Sequence, residues 1–107
     1  GKVVRPYFGV TLLDGQIASY YDLEGAVIKE IKEGSPAEKA GLTGIKVDQA
    51  RNFYLGDIII RIGNSKIQND NELLLELEKY STGDTIEITS INNGKEKKFN
   101  VTLGELR

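Results

Sequence analysis

The sequence predicts a small α+β domain: five to six short strands and two to three helices closing as a partly open β-barrel or sandwich. Three observations carry that expectation. Apolar residues come in short β-branched runs, AVIKEI at 26–31 and DIIIRI at 57–62, separated by glycine-rich punctuation. A single segment, 71–80, sustains a helical period. The last third alternates apolar and polar residues about Asn92-Asn93-Gly94, which reads as a hairpin. The 107 residues suffice for one domain, so 1–107 is taken as a single unit.

Along the chain, Val10 to Leu13 reads as a first apolar strand. Gln16 to Tyr21 can make a helical turn or two, with Ile17 and the two tyrosines on its apolar side. Ala26 to Ile31 is a second strand, ended by Glu33-Gly34-Ser35-Pro36. A very short helix follows. Ser35 is its N-cap, Pro36 occupies the first helical position where no N–H is needed, and Gly41 takes the left-handed cap. Asp57 to Ile62 is dense in β-branched residues and should be a buried central strand. From Asn71 to Tyr80 the pattern is helical, with Asn69 and Glu72 spaced as a capping box and Leu73, Leu77 and Tyr80 on one stripe. Thr85 to Ile91 and Lys97 to Leu103 form the closing hairpin.

Composition excludes much chemistry. The chain has no His and no Cys, so it offers neither a Ser-His-Asp nor a Cys-His device, no zinc site of the usual N/S kind and no disulfide. No cofactor and no metal are expected, and Lys and Arg are dispersed at a net charge of −2, which argues against a nucleic-acid surface. No serine stands in the Ser-x-x-Lys spacing of a Ser-Lys device. Glu72, Glu76 and Glu78 are read as a solvated helix face, and Lys95 to Lys98 as a charged hairpin tip that discourages pairing with other chains. The absence of an initiator Met suggests a piece of a longer protein or a processed form.

Two regions invite a site. In Arg5-Pro6-Tyr7-Phe8-Gly9-Val10, a glycine between large apolar residues just before a strand lets backbone N–H groups converge on an anion, a peptide carboxylate among the candidates. The other reading is a tight turn with Phe8 and Val10 as ordinary core. On the helix, Leu73, Leu77 and Tyr80 face inward while Asp70 and Leu74 occupy a shoulder. Beside a strand edge that shoulder would form an apolar trough for an extended peptide; otherwise it is a wide core face. Leu75, about 200° around the helix from Leu73, is either a lone exposed leucine or a contact to a neighbouring domain or subunit.

The ordered motifs resemble a known family. Gly1 to Val10 looks like the junction between the protease domain and first PDZ domain of HtrA/Deg-type serine proteases. Glu24-Gly25-Ala26-Val27-Ile28, Gly34-Ser35-Pro36-Ala37-Glu38-Lys39-Ala40-Gly41-Leu42, Gly56-Asp57-Ile58-Ile59-Ile60, Glu72-Leu73, Gly83-Asp84 and Val101-Thr102-Leu103 follow in the family's order over nearly the whole chain. The resemblance implies a PDZ fold in the permuted strand order of protease PDZ domains, with 1–6 as the linker from a protease domain.

By the same resemblance, Tyr7, Phe8, Gly9 and Val10 stand where the carboxylate-binding loop lies. Val10, Thr11 and Leu12 form the strand that faces Asp70, Leu74 and Leu77, and Arg5 is placed to attract the carboxylate. Implied partners are an extended peptide or protein C-terminus and the protease domain of the same chain, in a periplasm or cell envelope or a thylakoid lumen. One departure stands out: residues 43–55 are a longer loop than the family usually has between its AGL and GD motifs. With Leu75, this loop favours the alternative role of an interdomain or oligomerisation module whose groove is covered.

Overall fold

The structure, a computed structural model, describes residues 6–105. In chain order the elements are β1 (Pro6–Tyr7), β2 (Val10–Leu12), α1 (Gly15–Tyr20), β3 (Ala26–Ile31), α2 (Pro36–Ala40), β4 (Lys46–Val47) and β5 (Phe53–Tyr54). They continue with β6 (Ile58–Ile62), β7 (Ser65–Lys66), α3 (Asp70–Leu77), β8 (Thr85–Asn92), β9 (Lys95–Thr102) and β10 (Gly104–Glu105). Five strands line up as β2-β3-β6-β8-β9 and β7 pairs with β6, giving six; β1-β10 and β4-β5 are separate two-stranded pieces. All these pairings are antiparallel.

Local chemistry accounts for the elements. Ser35 Oγ accepts the Glu38 N–H at 3.2 Å, Pro36 opens α2, and Gly41 closes it at φ +96°. Asn93 and Gly94 both take positive φ, 53° and 75°, as the two-residue primed turn between β8 and β9 demands. Helix α3 starts one residue earlier than the sequence predicted and stops at Leu77 instead of Tyr80. Asn69 is its cap, accepting from the Glu72 N–H at 2.9 Å, so Asp70 is already helical. Glu72 Oε1 reaches past the cap to the Gln68 N–H, 2.7 Å, rather than to Asn69 itself. Beyond Glu78 the chain tightens into three-residue bonds, Lys79 N–H to the Glu76 carbonyl and Tyr80 N–H to the Leu77 carbonyl, which end the α-helix.

The core lies under the sheet: Ala26, Ile28, Ile59, Ile62, Leu73, Ile88 and Val101 are fully buried, with Phe8, Ile67, Ile86 and Leu103 nearly so. Each large member contributes about 1.5–3 kcal/mol by burial. Helix α1 differs from expectation, since only Ala18 is buried and Ile17, Tyr20 and Tyr21 are exposed. A helix this short buries only a narrow stripe, and a small residue occupies it. Glu76 also departs from a solvated face. Its side chain is 11% exposed and meets Lys79 Nζ at 3.0 Å, because it falls beside the Leu73 stripe.

The 43–55 loop is an ordered excursion. Asp57, 1% exposed, holds its base: Oδ2 accepts from Thr43 N (2.8 Å) and Thr43 Oγ1 (3.1 Å), and Oδ1 from Ser90 Oγ (2.7 Å) and Asn92 Nδ2 (3.3 Å). Hydrogen bonds of this kind replace the water a buried carboxylate loses. At the tip, β4 and β5 pair, and Asp48 gathers the turn by accepting from Asn52 N (2.9 Å), Asn52 Nδ2 (3.2 Å) and Tyr54 Oη (3.0 Å).

Candidate functional site

Strand β2 is the outermost strand of the main sheet, paired with β3 on one side and with nothing on the other among the described residues. An edge strand of that kind carries unpaired N–H and C=O groups along its outer side. Its register on β3 sets Val10 opposite Ile31 and Thr11 opposite Glu30. Val10 and Leu12 are half-buried against the core while Thr11 is exposed, the alternation a strand imposes.

The turn entering β2 is tightly fixed. Gly9 has φ +89°, and a Cβ there would lie 2.1 Å from Ser35 Cβ, 2.6 Å from Ser35 Oγ and 3.4 Å from Tyr7 Cζ. The Phe8 carbonyl accepts the Ala37 N–H (3.1 Å) and the Gly9 carbonyl accepts the Lys32 N–H (2.8 Å). Both carbonyls therefore turn inward. The N–H groups of Phe8 and Gly9 find no acceptor among the described residues. Tyr7, in β1, is half-buried and pairs with Gly104 of β10.

Helix α3 packs on β3 and supplies the other wall. Leu77 is half-buried against the same core cluster as Val10 and Leu12; Leu74, 56% exposed, stands on the shoulder. Asp70 Oδ2 accepts the Gly15 N–H at 3.2 Å, tying the start of α3 to the start of α1 at the end of the groove. Its other oxygen accepts from Asn71 N, 2.9 Å. Beyond that tie an open cleft of about 1160 Å³ lies between α1 and α3, with Gln16, Asn69, Asp70 and Leu75 in its wall.

The predicted residues thus divide. Val10, Leu12 and Leu77 share one apolar floor, Gly9 fixes the turn, and Thr11 and Leu74 are exposed beside them. Phe8, 4% exposed, is core, so Val10 and Leu77 keep the apolar surface that a bound side chain would touch. Asp70 is engaged with Gly15, and Arg5 lies outside the described residues. Sequence reasoning missed Ser35 as the residue packed against Gly9. Its cap signal was legible, but nothing in the spacing brings residue 35 to residue 9. It also missed the Asp70–Gly15 tie, for which Gly15 at a helix start was the only trace.

An edge strand entered through a positive-φ glycine, facing a helix across an apolar floor, is an arrangement with a family. A profile of the PDZ domain matches residues 6–103. The chain belongs to the PDZ domain family. Its curated relatives are proteases. It is 34% identical over 118 residues to the serine protease Do-like HtrA of Bacillus subtilis, covering 98% of this chain and 24% of that protein. It is 30% identical over 103 residues to the chloroplastic protease Do-like 1 of Arabidopsis thaliana, covering 96% and 24%. This PDZ domain therefore spans about a quarter of the length of the relatives it matches. Among solved structures, the HtrA-type protease AlgW with a decapeptide superimposes with a TM-score of 0.75 at 21% identity, over 100% of this chain and 31% of that one. The match to HtrA/Deg-family PDZ regions covers nearly the whole chain, as the motif order anticipated.

Proposed function

We propose that this PDZ domain binds an extended segment with an apolar C-terminus by adding it as a strand to β2. The free N–H groups of Phe8 and Gly9 receive the terminal carboxylate, and the last side chain packs on Val10 and Leu77. Leu12, Thr11, Leu74 and Asp70 meet the residues upstream. The observation that carries the reading is the unpaired edge of β2 beginning at the Gly9 turn, whose carbonyls point inward and leave its amides free. Apolar end residues are favoured because a charge desolvated there has no partner. The HtrA-type protease AlgW, similar in fold, is solved with a decapeptide, which supports a peptide ligand.

In the longer protein the domain serves an HtrA/Deg-type serine protease, presenting substrate or biasing the protease domain between active and inactive arrangements. Chloroplastic and periplasmic relatives support a thylakoid lumen or a periplasm or cell envelope as its compartment. The rival role, a structural module whose groove is covered by its own 43–55 loop, has less support. Ile45 N–H donates to the Lys29 carbonyl, while the neighbouring Glu30 pairs with Thr11. The two ends of the excursion meet where the Asp57 N–H donates to the Thr43 carbonyl beside β6, and β6 lies across β3 from β2, so the excursion starts and ends on the side of β3 away from β2.

The test is a chemical-shift titration with a peptide ending in an apolar residue. Shifts confined to 7–12 and 70–77, weakened by amidating the peptide's C-terminus and lost in Val10→Asp with its fold intact, are expected. An unchanged spectrum at millimolar free-carboxylate peptide would sink the proposal.

A further inference from the structure

The ligand path does not stop where β2 stops. A C-terminus held at the Phe8 and Gly9 amides lies at the start of β2, so a strand added there runs antiparallel to it. Upstream ligand residues then pass Leu12 and head toward Asp14. At about 3.3 Å per residue, β2 and Leu13 accommodate roughly the last four ligand residues. From about the fifth, the ligand reaches Asp14 and Gly15. There the Asp70–Gly15 bond marks the end of the groove, and the cleft between α1 and α3 opens.

That cleft, of about 1160 Å³, has a definite chemistry. The carboxylates of Asp14, Asp22, Glu24, Asp70 and Glu72 line it, and among the described residues no Lys or Arg does, although the chain carries 14 of them. None of the five forms an ion pair among the described residues. Three are already held in place by backbone N–H groups: Asp14 by Gln16, Asp70 by Gly15 and Glu72 by Gln68. Asp22 and Glu24 are exposed. Leu75, which the fold leaves 55% exposed, lines the same cleft. Apolar surface edged by carboxylates suits a lysine or arginine side chain, whose stem packs on the leucine while its charged head stays in water beside the acids.

The spread of the acids excludes the simplest competitor. Among the described residues no three of them converge as a metal ion requires, so the cleft suits an extended cationic chain better than a point charge. We propose that the cleft receives the upstream part of the groove's own ligand and selects Lys or Arg there, from about the fifth residue counted back from the C-terminus. The inference rests on the groove reading and adds the ligand's chemistry: an apolar last residue preceded by a basic segment. Fixed carboxylates that already face one another without a cation gain from such a segment, and the attraction is screened by salt.

Titration of the 107-residue chain with three decapeptides tests it. All end in the same apolar residue and carry two lysines, two alanines or two glutamates at the fifth and sixth places from the end. The lysine peptide should bind about tenfold more tightly than the alanine peptide at low salt, and the advantage should shrink to about twofold at high ionic strength. The lysine peptide alone should add shifts at amides of 14–16 and 22–25 to those of the groove. The double variant Asp22→Asn/Glu24→Gln, outside the groove, should cut the lysine advantage to about threefold and leave the alanine peptide's affinity unchanged. Equal affinity for the three peptides overturns the inference and leaves the groove standing. So does a lysine preference undiminished in the double variant. Failure of all three to bind overturns the groove reading and this inference with it.

Discussion

Replacing Gly9 by Ala separates two ways in which one glycine can matter. At φ +89° an L-residue is strained by about 1–2 kcal/mol. The new methyl would also stand 2.1 Å from Ser35 Cβ, and Ser35 is the buried cap of α2, whose own bonds resist displacement. Overpacking of this kind costs about 1–3 kcal/mol, so Gly9→Ala should destabilise by about 2–5 kcal/mol in total. Gly83 provides the control. Its φ is +92° and a Cβ there would meet nothing within 4 Å, so Gly83→Ala should cost the backbone strain alone, about 1–2 kcal/mol. Both changes restrict the unfolded chain equally, and that contribution cancels in the comparison. Urea unfolding at constant m-value reads the difference. Were Gly9→Ala no costlier than Gly83→Ala, the turn would not be seated on Ser35, and the rigid loop on which the binding proposal depends would be lost with it.

Three further outcomes follow from the geometry. Asp57→Ala should cost about 2–4 kcal/mol in urea unfolding by stranding the Ser90 hydroxyl and Thr43 donors, whereas Asn92→Ala at the half-exposed rim should cost about 1 kcal/mol or less. The Asn52 N–H holds the Asp48 carboxyl below its ordinary range, helped by the Asn52 and Tyr54 side chains. A depressed folded value means that its stabilisation is present above the unfolded value and is lost as pH falls through the folded one. Acidification should therefore speed exchange of the Asn52 amide, in step with carboxyl titration by NMR, and Asp48→Asn should remove the coupling. Leu73→Ala, in the closed core, should cost about 2–5 kcal/mol, while Leu74→Ala should change stability by no more than about 0.5 kcal/mol and register only in peptide affinity.

The parts of the fold that were legible in the sequence are those decided locally. Ser35, Pro36 and Gly41 each announce a backbone requirement within a few residues, and α2 forms where they put it. Asn93-Gly94 does the same for the β8–β9 turn, and the β-branched run at 58–62 for the central strand. Helix α1 was misjudged on its packing because an apolar residue in six cannot say which neighbour it meets. Ala18 is buried and Ile17 is exposed. For the site, the alternation of Val10, Thr11 and Leu12 was visible in the sequence. The contacts that make it a groove were not: Gly9 on Ser35 and Asp70 on Gly15 join residues far apart in the chain. Nothing local encodes such pairs; the motif order placed β2 opposite α3 but said nothing of these two contacts.

The 43–55 excursion shows why a fold can carry an ordered insertion without altering its core. Its two ends touch: a Cβ on Gly56 would lie 2.5 Å from the carbonyl oxygens of both Gly44 and Thr43. The path departs just after α2 and rejoins the sheet at the start of β6 from the same point, so the strands beneath pair as though it were absent. Closing a loop of this length costs about 2 kcal/mol of chain entropy. Asp57 offsets that cost at the base, binding Thr43 on one arm while Ser90 and Asn92 hold it from β8. None of this requires Val47, Phe53 and Leu55 to be large or apolar, because none of them belongs to the core. Polar residues at those three positions would satisfy the same turn, the same ladder and the same anchor. The apolar face is therefore surplus to folding.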